Sequence, residues 1–228
     1  IFSDFGISTS TSRYIALYNA KKKEKVNKVF FNSVIIITTV SLIVATVVLL
    51  FKDKLFPEQF KYIIYALPMI FISPLTSLLD GIYRGLKKFK TVSIISISTS
   101  IIGIAISYLM VTQYGLVGAI LSQSIYFSIY SLVLLLANKG YTFKIDKKII
   151  QDIGKYAISF GMATLGFYFF SKVNVLILGG YNLLEEIAIY ELLTKIFTIF
   201  IIPFSLFWQL LAPNNVDVYI KEEGNKVK

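Results

Sequence analysis

The residues that could do chemistry in this chain are ionisable side chains set inside long apolar stretches. They are Arg13, Asp80, Arg84, Lys172, Glu191 and Lys195. A charged side chain at the depth of a bilayer costs a few kcal/mol or more, so such residues usually face the interior of a helix bundle or a water-filled path. Basic residues outnumber acidic ones in this set. We therefore predict that it binds an anionic ligand.

The clearest pattern is a polar stripe on the last apolar stretch. Successive residues of an α-helix are rotated by 100° about its axis. On such a helix four polar residues lie within about 40° of Glu191, namely Lys195, Thr198, Ser205 and Gln209. A stripe of this length is typical of a helix that lines a lumen. The alternative is that Glu191 and Lys195 form an ion pair four residues apart, while the other three make hydrogen bonds between helices.

A second stripe joins Ser73, Thr76, Asp80 and Arg84, which fall within about 40° of one line. Two interpretations remain open for it. The stripe lines the same lumen, or its two charged residues, near the end of their apolar stretch, reach headgroups and water.

Two further cations have no acidic partner within reach on their own helix. Lys172 lies deep in its apolar stretch without an acidic residue three or four positions away. We expect it to pair with an anion from another helix or from a ligand. Arg13 lies one or two turns from a lysine-rich segment, so it either extends to the membrane surface or faces the lumen.

Composition excludes several classes of function. The 228 residues carry a net charge of +10 and contain neither cysteine nor histidine, which excludes disulfides, thiolate metal sites and histidine-based catalysis. We find no phosphate-binding loop of the GxxxxGK type and no nucleophile elbow, so we predict neither an enzyme nor a cofactor. Because the lysines fall between apolar runs, we expect no nucleic-acid partner.

These residues must be positioned by membrane-spanning helices. Apolar residues make up 56% of the chain, and positions 29–51 and 91–138 carry no charge at all. A run of about 18 or more apolar residues can cross a bilayer as a helix. We predict an all-α polytopic bundle of about seven segments: 1–18, 29–51, 62–84, 91–112, 115–138, 155–178 and 187–212. A polar tail at 213–228 follows them.

The lysines predict the orientation of this bundle. When the segments are counted by crossing, sixteen lysines lie in the loops and the tail on one side, and three lie on the other. Cytoplasmic loops of membrane proteins carry the excess of basic residues. We therefore predict that the lysine-rich loops and the end of the chain are cytoplasmic.

Several segments together resemble a known family. DFGISTSTSRYIALYNAKKKEK is similar to the second helix and first cytoplasmic loop of bacterial polysaccharide, or O-antigen, flippases. These proteins belong to the superfamily that also includes the multidrug and toxin extrusion antiporters. Other similar segments are LLDGIYRGLKKFK (78–90), YGLVGAI (114–120), KVNVLILGGYNLLEEIAIYELLTKI (172–196) and APNNVDVYIKEEGN (212–225).

The resemblance implies a transporter of two lobes and 12–14 helices, of which this chain is an internal part. It would begin inside the second helix and contain the third to the eighth. Residues 1–138 would belong to the N-terminal lobe, 139–154 to the cytoplasmic loop between lobes, and 155–228 to the start of the C-terminal lobe. The implied location is the cytoplasmic membrane of a bacterium or archaeon.

The resemblance also implies an activity. Such proteins flip a lipid-linked oligosaccharide across the membrane by alternating access, and a cationic lumen receives its pyrophosphate and sugars while the polyprenyl tail stays in the lipid. Arg13, Lys172 and Lys195 would supply the positive charge. Glu191 and Asp80 would balance it or take part in coupling to a proton or sodium ion.

One departure and two alternatives accompany this interpretation. The family often has an acidic residue where Asn174 stands, so the role of that carboxylate cannot be carried over. A cation-coupled drug antiporter is one alternative, but it needs a lumen dominated by carboxylates. A membrane protein without transport activity, such as a scaffold for polysaccharide assembly, is the other, and in it Lys195 would be inaccessible to water.

Overall fold

The computed structural model describes residues 3–21, 25–51, 60–137 and 144–226, but not the side chains of 21, 60–61, 205–206 and 208–226. This part of the chain is helical and contains no strand. Five helical stretches, one of which is Tyr62–Gly85, are long and apolar enough to cross a membrane. The predicted all-α membrane fold is therefore confirmed. The helices are α1 (Ile7–Lys21), α2 (Val26–Leu50), α3 (Phe60–Ala66), α4 (Met69–Gly85), α5 (Phe89–Ala137), α6 (Lys147–Gly180) and α7 (Leu184–Lys226).

The long helix α5 reverses direction at Gly115, the first residue of the segment 115–138, which we predict as a span separate from 91–112. Its backbone there has φ 56° and ψ −130°, a conformation that glycine adopts without the clash a Cβ would cause. The two halves then pack antiparallel. Gly103 lies against the ring of Tyr126, whose hydroxyl is 3.3 Å from the Ser100 hydroxyl.

The predicted segment 62–84 agrees with an apolar stretch at Tyr62–Gly85 that is long enough to cross a membrane. The regular helix is interrupted within it, between α3 and α4. The helix α3 ends at Ala66, and α4 begins at Met69 with Pro68 as its N-cap residue. Proline lacks a backbone N–H and disfavours helical geometry in the residue before it. A break next to Pro68 therefore costs less than a continuous helix through it.

The helix α6 begins at Lys147, earlier than the predicted start at 155. Its N-cap is Asp146, whose carboxylate accepts hydrogen bonds from the backbone N–H groups of Lys148 and Ile149 at 3.1 and 3.4 Å. An N-cap of this kind satisfies donors that the first turn leaves unpaired. Part of the proposed connection at 139–154 is thus helical, and the division into lobes stays a prediction.

The helix α7 also exceeds its predicted bounds, because its backbone continues to Lys226 and includes the polar stretch from 213. Apolarity marks where a helix lies in the membrane and does not mark where the helix ends. Polar residues continue a helix readily once it has left the apolar layer.

The helix α1 lies at the centre of the bundle, in contact with α2, α4, α6 and α7. Its approach to α4 is close because α4 presents Gly81 and Gly85, two small residues four apart. A Cβ at Gly81 would lie 2.5 Å from the carbonyl oxygen of Ser8, and one at Gly85 would lie 2.5 Å from that of Ser12. The matching order of these contacts shows that α1 and α4 run parallel.

The lysine-bearing ends of the helices meet at one end of the bundle. Ser10 Oγ donates to the carbonyl oxygen of Ile153, while Gly6, nearer the start of α1, contacts Gly161 further along α6, so α1 and α6 are antiparallel. The end of α1, the starts of α2 and α6 and the α4–α5 junction therefore lie together. We call this the lysine end, after Lys25, Lys88 and Lys147. That it faces the cytoplasm stays a prediction.

Candidate functional site

Lys172 and Glu191 form an ion pair between α6 and α7. Their Nζ and Oε1 atoms are 2.5 Å apart, and the two side chains keep 35% and 30% of their exposure. The two helices form an antiparallel hairpin around Tyr181, which brings residues so distant in sequence to the same level. Beside the pair, Asn174 Nδ2 donates to the hydroxyl of Tyr190 at 3.0 Å. The partner that we predict for Lys172 from another helix is thus Glu191.

The remainder of the α7 stripe is only partly assembled. The alternative ion pair between Glu191 and Lys195 is wrong, because Glu191 turns to α6. Lys195 is exposed and has no hydrogen bond or ion pair with the described residues. Thr198 Oγ1 donates a hydrogen bond to the carbonyl oxygen of Thr194 in its own helix. The side chain of Gln209 lies outside the described part of the chain.

Arg13 lies against α6. Its guanidinium carbon is 4.3 Å from the centroid of the Tyr156 ring, within the range of a cation–π contact, and the side chain is exposed. This contact crosses between two helices that the sequence alone does not place together. It holds a permanent positive charge at the junction of α1 and α6, nearer the lysine end than Lys172 is.

Asp80 does not join these cations. Its Oδ1 accepts a hydrogen bond of 2.6 Å from the hydroxyl of Tyr130 in α5. One turn earlier, the hydroxyls of Thr76 and Ser131 are also 2.6 Å apart. The middle of the α4 stripe therefore connects α4 to α5, whereas Arg84 lies half-buried one turn further towards the lysine end.

A cleft of about 310 Å³ opens between the start of α1, the second half of α2 and the first half of α4. Its polar lining consists of Ser3, Asp4, Ser73 and Ser77, and much of the remainder is apolar. Ser73 belongs to the polar stripe predicted for α4, whereas the other three residues belong to no predicted site. They lie on two segments whose adjacency depends on the packing of α1 against α4.

A second feature without a signal in the sequence is the buried amide of Asn32. Its Nδ2 donates to the carbonyl oxygens of Lys28 and Lys144 at 2.7 and 3.0 Å, and its Oδ1 accepts from the N–H of Asp146 at 2.9 Å. Asn32 is fully buried. It attaches the chain just before α6 to α2 at the lysine end.

The described residues bring no three Asp, Glu, His or Cys side chains together. Comparison with known proteins gives one family. Residues 1–210 match the family model described as polysaccharide biosynthesis protein, and this range includes every candidate residue above. No curated protein and no solved structure matches the chain.

Proposed function

The chain belongs to the polysaccharide biosynthesis protein family, and from this premise we propose that it flips a lipid-linked, anionic oligosaccharide across the membrane by alternating access. Members of the family are generally membrane flippases or exporters. The observation that carries the proposal is that the three helices bearing Arg13, Lys172 and Lys195, which are α1, α6 and α7, contact one another. They can present their charges to a single ligand path.

These cations are spread along the membrane normal. Arg13 lies at the level of Tyr156, and Lys172 follows sixteen residues further along α6. At 1.5 Å per residue this separates their levels by roughly 24 Å. A diphosphate that moves between leaflets would meet positive charge at both depths, which lowers the cost of taking a multiply charged headgroup through an apolar layer.

The ion pair with Glu191 gives Lys172 a partner when no substrate is bound. A phosphate oxygen is an acceptor of the same kind as the carboxylate oxygen that Lys172 contacts. Both side chains keep about a third of their exposure. A headgroup can therefore reach the Lys172 amine without a movement of the helices that would expose the ion pair. We expect Glu191 to compete with substrate for Lys172 and to ease its release.

The contacts at the lysine end support a path that opens at the opposite end. All the buried residues of α6, from Ile149 to Gly161, lie in the half next to the lysine end. There Ser10 and Asn32 bond to the backbone of α6 and of the chain before it. If 1–138 and 155–228 belong to separate lobes, these are contacts between lobes, and breaking them would open the path at the lysine end.

The proposal is tested by flipping of a fluorescent polyprenyl-diphosphate oligosaccharide in proteoliposomes, together with surface polysaccharide in cells. The double variant Lys172→Ala, Lys195→Ala should lose both activities at normal protein levels. Lys155→Ala, which removes an exposed lysine of α6 near the lysine end, is the matched control and should keep them. Normal flipping by the double variant would refute the proposal, and drug resistance conferred on a sensitive host would favour the antiporter instead.

A further inference from the structure

A group of polar aromatic residues lies where α1 and α6 meet near the lysine end. The two helices are antiparallel, and Ser10 of α1 donates to the carbonyl oxygen of Ile153 in α6 at 2.9 Å. Tyr14 and Tyr18 follow Ser10 along α1 at intervals of four residues, so they lie on one face of that helix. Their ring centroids are 6.0 Å apart. The face of α1 that continues from the Ser10 contact is therefore aromatic.

The helix α6 contributes Asp152 and Tyr156, which are also four residues apart and share a face. Asp152 interacts electrostatically with both tyrosines of α1, and Tyr14 also interacts with Tyr156 and Arg13. The guanidinium carbon of Arg13 lies 4.3 Å from the centroid of the Tyr156 ring. Side chains from two helices therefore surround Tyr14. We call these five residues the Tyr14 cluster: Arg13, Tyr14, Tyr18, Asp152 and Tyr156.

The polar side-chain groups of the Tyr14 cluster make no hydrogen bond or ion pair within the part of the chain that the structure describes. Arg13 is exposed, and the other four residues are half-buried. Three phenol hydroxyls, one carboxylate and one guanidinium are thus available to a ligand. Tyrosines are enriched at membrane interfaces, but that enrichment does not explain why three of them, from two helices, gather around a carboxylate.

This combination of groups matches the surface of an uncharged sugar. The C–H groups on the faces of a sugar ring pack against aromatic rings, whose faces are electron-rich. Sugar hydroxyls donate hydrogen bonds to a carboxylate and accept them from a guanidinium or a phenol. The charges of Arg13 and Asp152 balance each other, so a neutral ligand leaves no excess charge here. A uronic acid would instead place a second carboxylate near Asp152, and like charges repel.

We propose that the Tyr14 cluster binds uncharged sugars of the transported glycan, a role that rests on the function proposed above. The cluster lies beside the bond between Ser10 and the backbone of α6, which is one of the contacts that must break for the path to open at the lysine end. It therefore lies at that entrance of the path. A glycan that enters there meets the cluster before its headgroup reaches Lys172, which lies further from the lysine end.

The test measures sugar binding by the full chain in a phosphocholine detergent, which carries no sugar of its own. Saturation-transfer NMR is recorded with a mixture of the methyl glycosides of glucose, galactose, mannose and N-acetylglucosamine, and separately with methyl glucuronide. We expect transfer to the ring protons of at least one neutral glycoside and weaker transfer to the glucuronide. Asp152→Asn should weaken binding of that neutral glycoside about tenfold, because a hydrogen bond to a charged group is lost.

The double variant Tyr14→Phe, Tyr18→Phe separates binding from folding, because it keeps both rings and removes only the hydroxyls. We expect it to weaken binding of the same glycoside about tenfold, through the loss of two hydrogen bonds. The Tm of the protein without sugar should stay unchanged, because neither hydroxyl has a partner in the described part of the chain. A merely structural role of these tyrosines would leave sugar binding as it is.

Two variants serve as matched controls. Tyr108→Phe removes the hydroxyl of an exposed tyrosine in α5, and Glu185→Gln removes a carboxylate from the first turn of α7. Both should bind sugar as the unmodified chain does. Absence of transfer to every neutral glycoside, equal binding of the glucuronide, or binding unchanged by the variants of the Tyr14 cluster would each overturn the proposal.

The binding assay contains no lipid-linked substrate, so its result is independent of the flipping assay. A chain that binds neutral sugars through the Tyr14 cluster but does not flip the glycolipid would refute the flipping proposal alone. A chain that flips the glycolipid but binds no neutral sugar would refute the role of the Tyr14 cluster alone.

Discussion

The attachment of α6 to α2 through Asn32 allows a quantitative prediction for Asn32→Ala. The amide makes three hydrogen bonds, with Lys28, Lys144 and Asp146, and is fully buried. A buried hydrogen bond contributes about 1 kcal/mol net to stability. We therefore expect the free energy of unfolding to fall by about 3 kcal/mol, with the loss concentrated where the chain enters α6.

Two measurements check this expectation. Equilibrium unfolding in mixed micelles gives the change in free energy, and hydrogen exchange gives the protection of the Asp146 amide, which should fall because that N–H loses its acceptor. Asn27→Ala is the matched control: Asn27 is exposed on the same helix, and a surface change of this kind usually stays within about 0.5 kcal/mol. The reasoning is refuted if Asn32→Ala costs no more than the control while the Asp146 amide stays protected.

Two other changes, measured by the same unfolding assay, test the contact between α4 and α5 and the contact between the two halves of α5. Tyr130→Phe removes the hydrogen bond to the Asp80 carboxylate and should destabilise the protein by about 1.5–3 kcal/mol, as for bonds to charged groups; an unchanged stability would mean that water replaces the hydroxyl. Gly118→Ala would place a Cβ onto the carbonyl oxygen of Met110 and should separate the two halves of α5, at a cost of about 1–3 kcal/mol. Gly166→Ala is the control for this change, because a Cβ at Gly166 has no atom within contact distance and alanine favours a helix. If the two changes had equal effects on stability, the close packing at Gly118 would be contradicted.

Much of the architecture follows from the sequence because hydropathy is a local property. The uncharged run of 91–138 is long enough for two spans, and Gly115 is the residue that allows the chain to reverse between them. The distribution of lysines likewise predicts the common end at which they meet. Helix ends are less well predicted. Pro68 and the Asp146 cap act through backbone hydrogen bonds that hydropathy does not report.

The partners of the polar residues depend on tertiary structure. Helical periodicity places Glu191 and Lys195 on one face, but it does not predict which neighbouring helix that face contacts. The packing of α6 against α7 pairs Glu191 with Lys172 instead. Asp80 turns to Tyr130 for the same reason. The sequence by itself therefore determined a polytopic membrane bundle, its charged residues and the grouping of its lysines. Only packing between helices decided which charges pair and that Asp4 and Ser73 line one cleft, because those contacts join positions far apart in the chain.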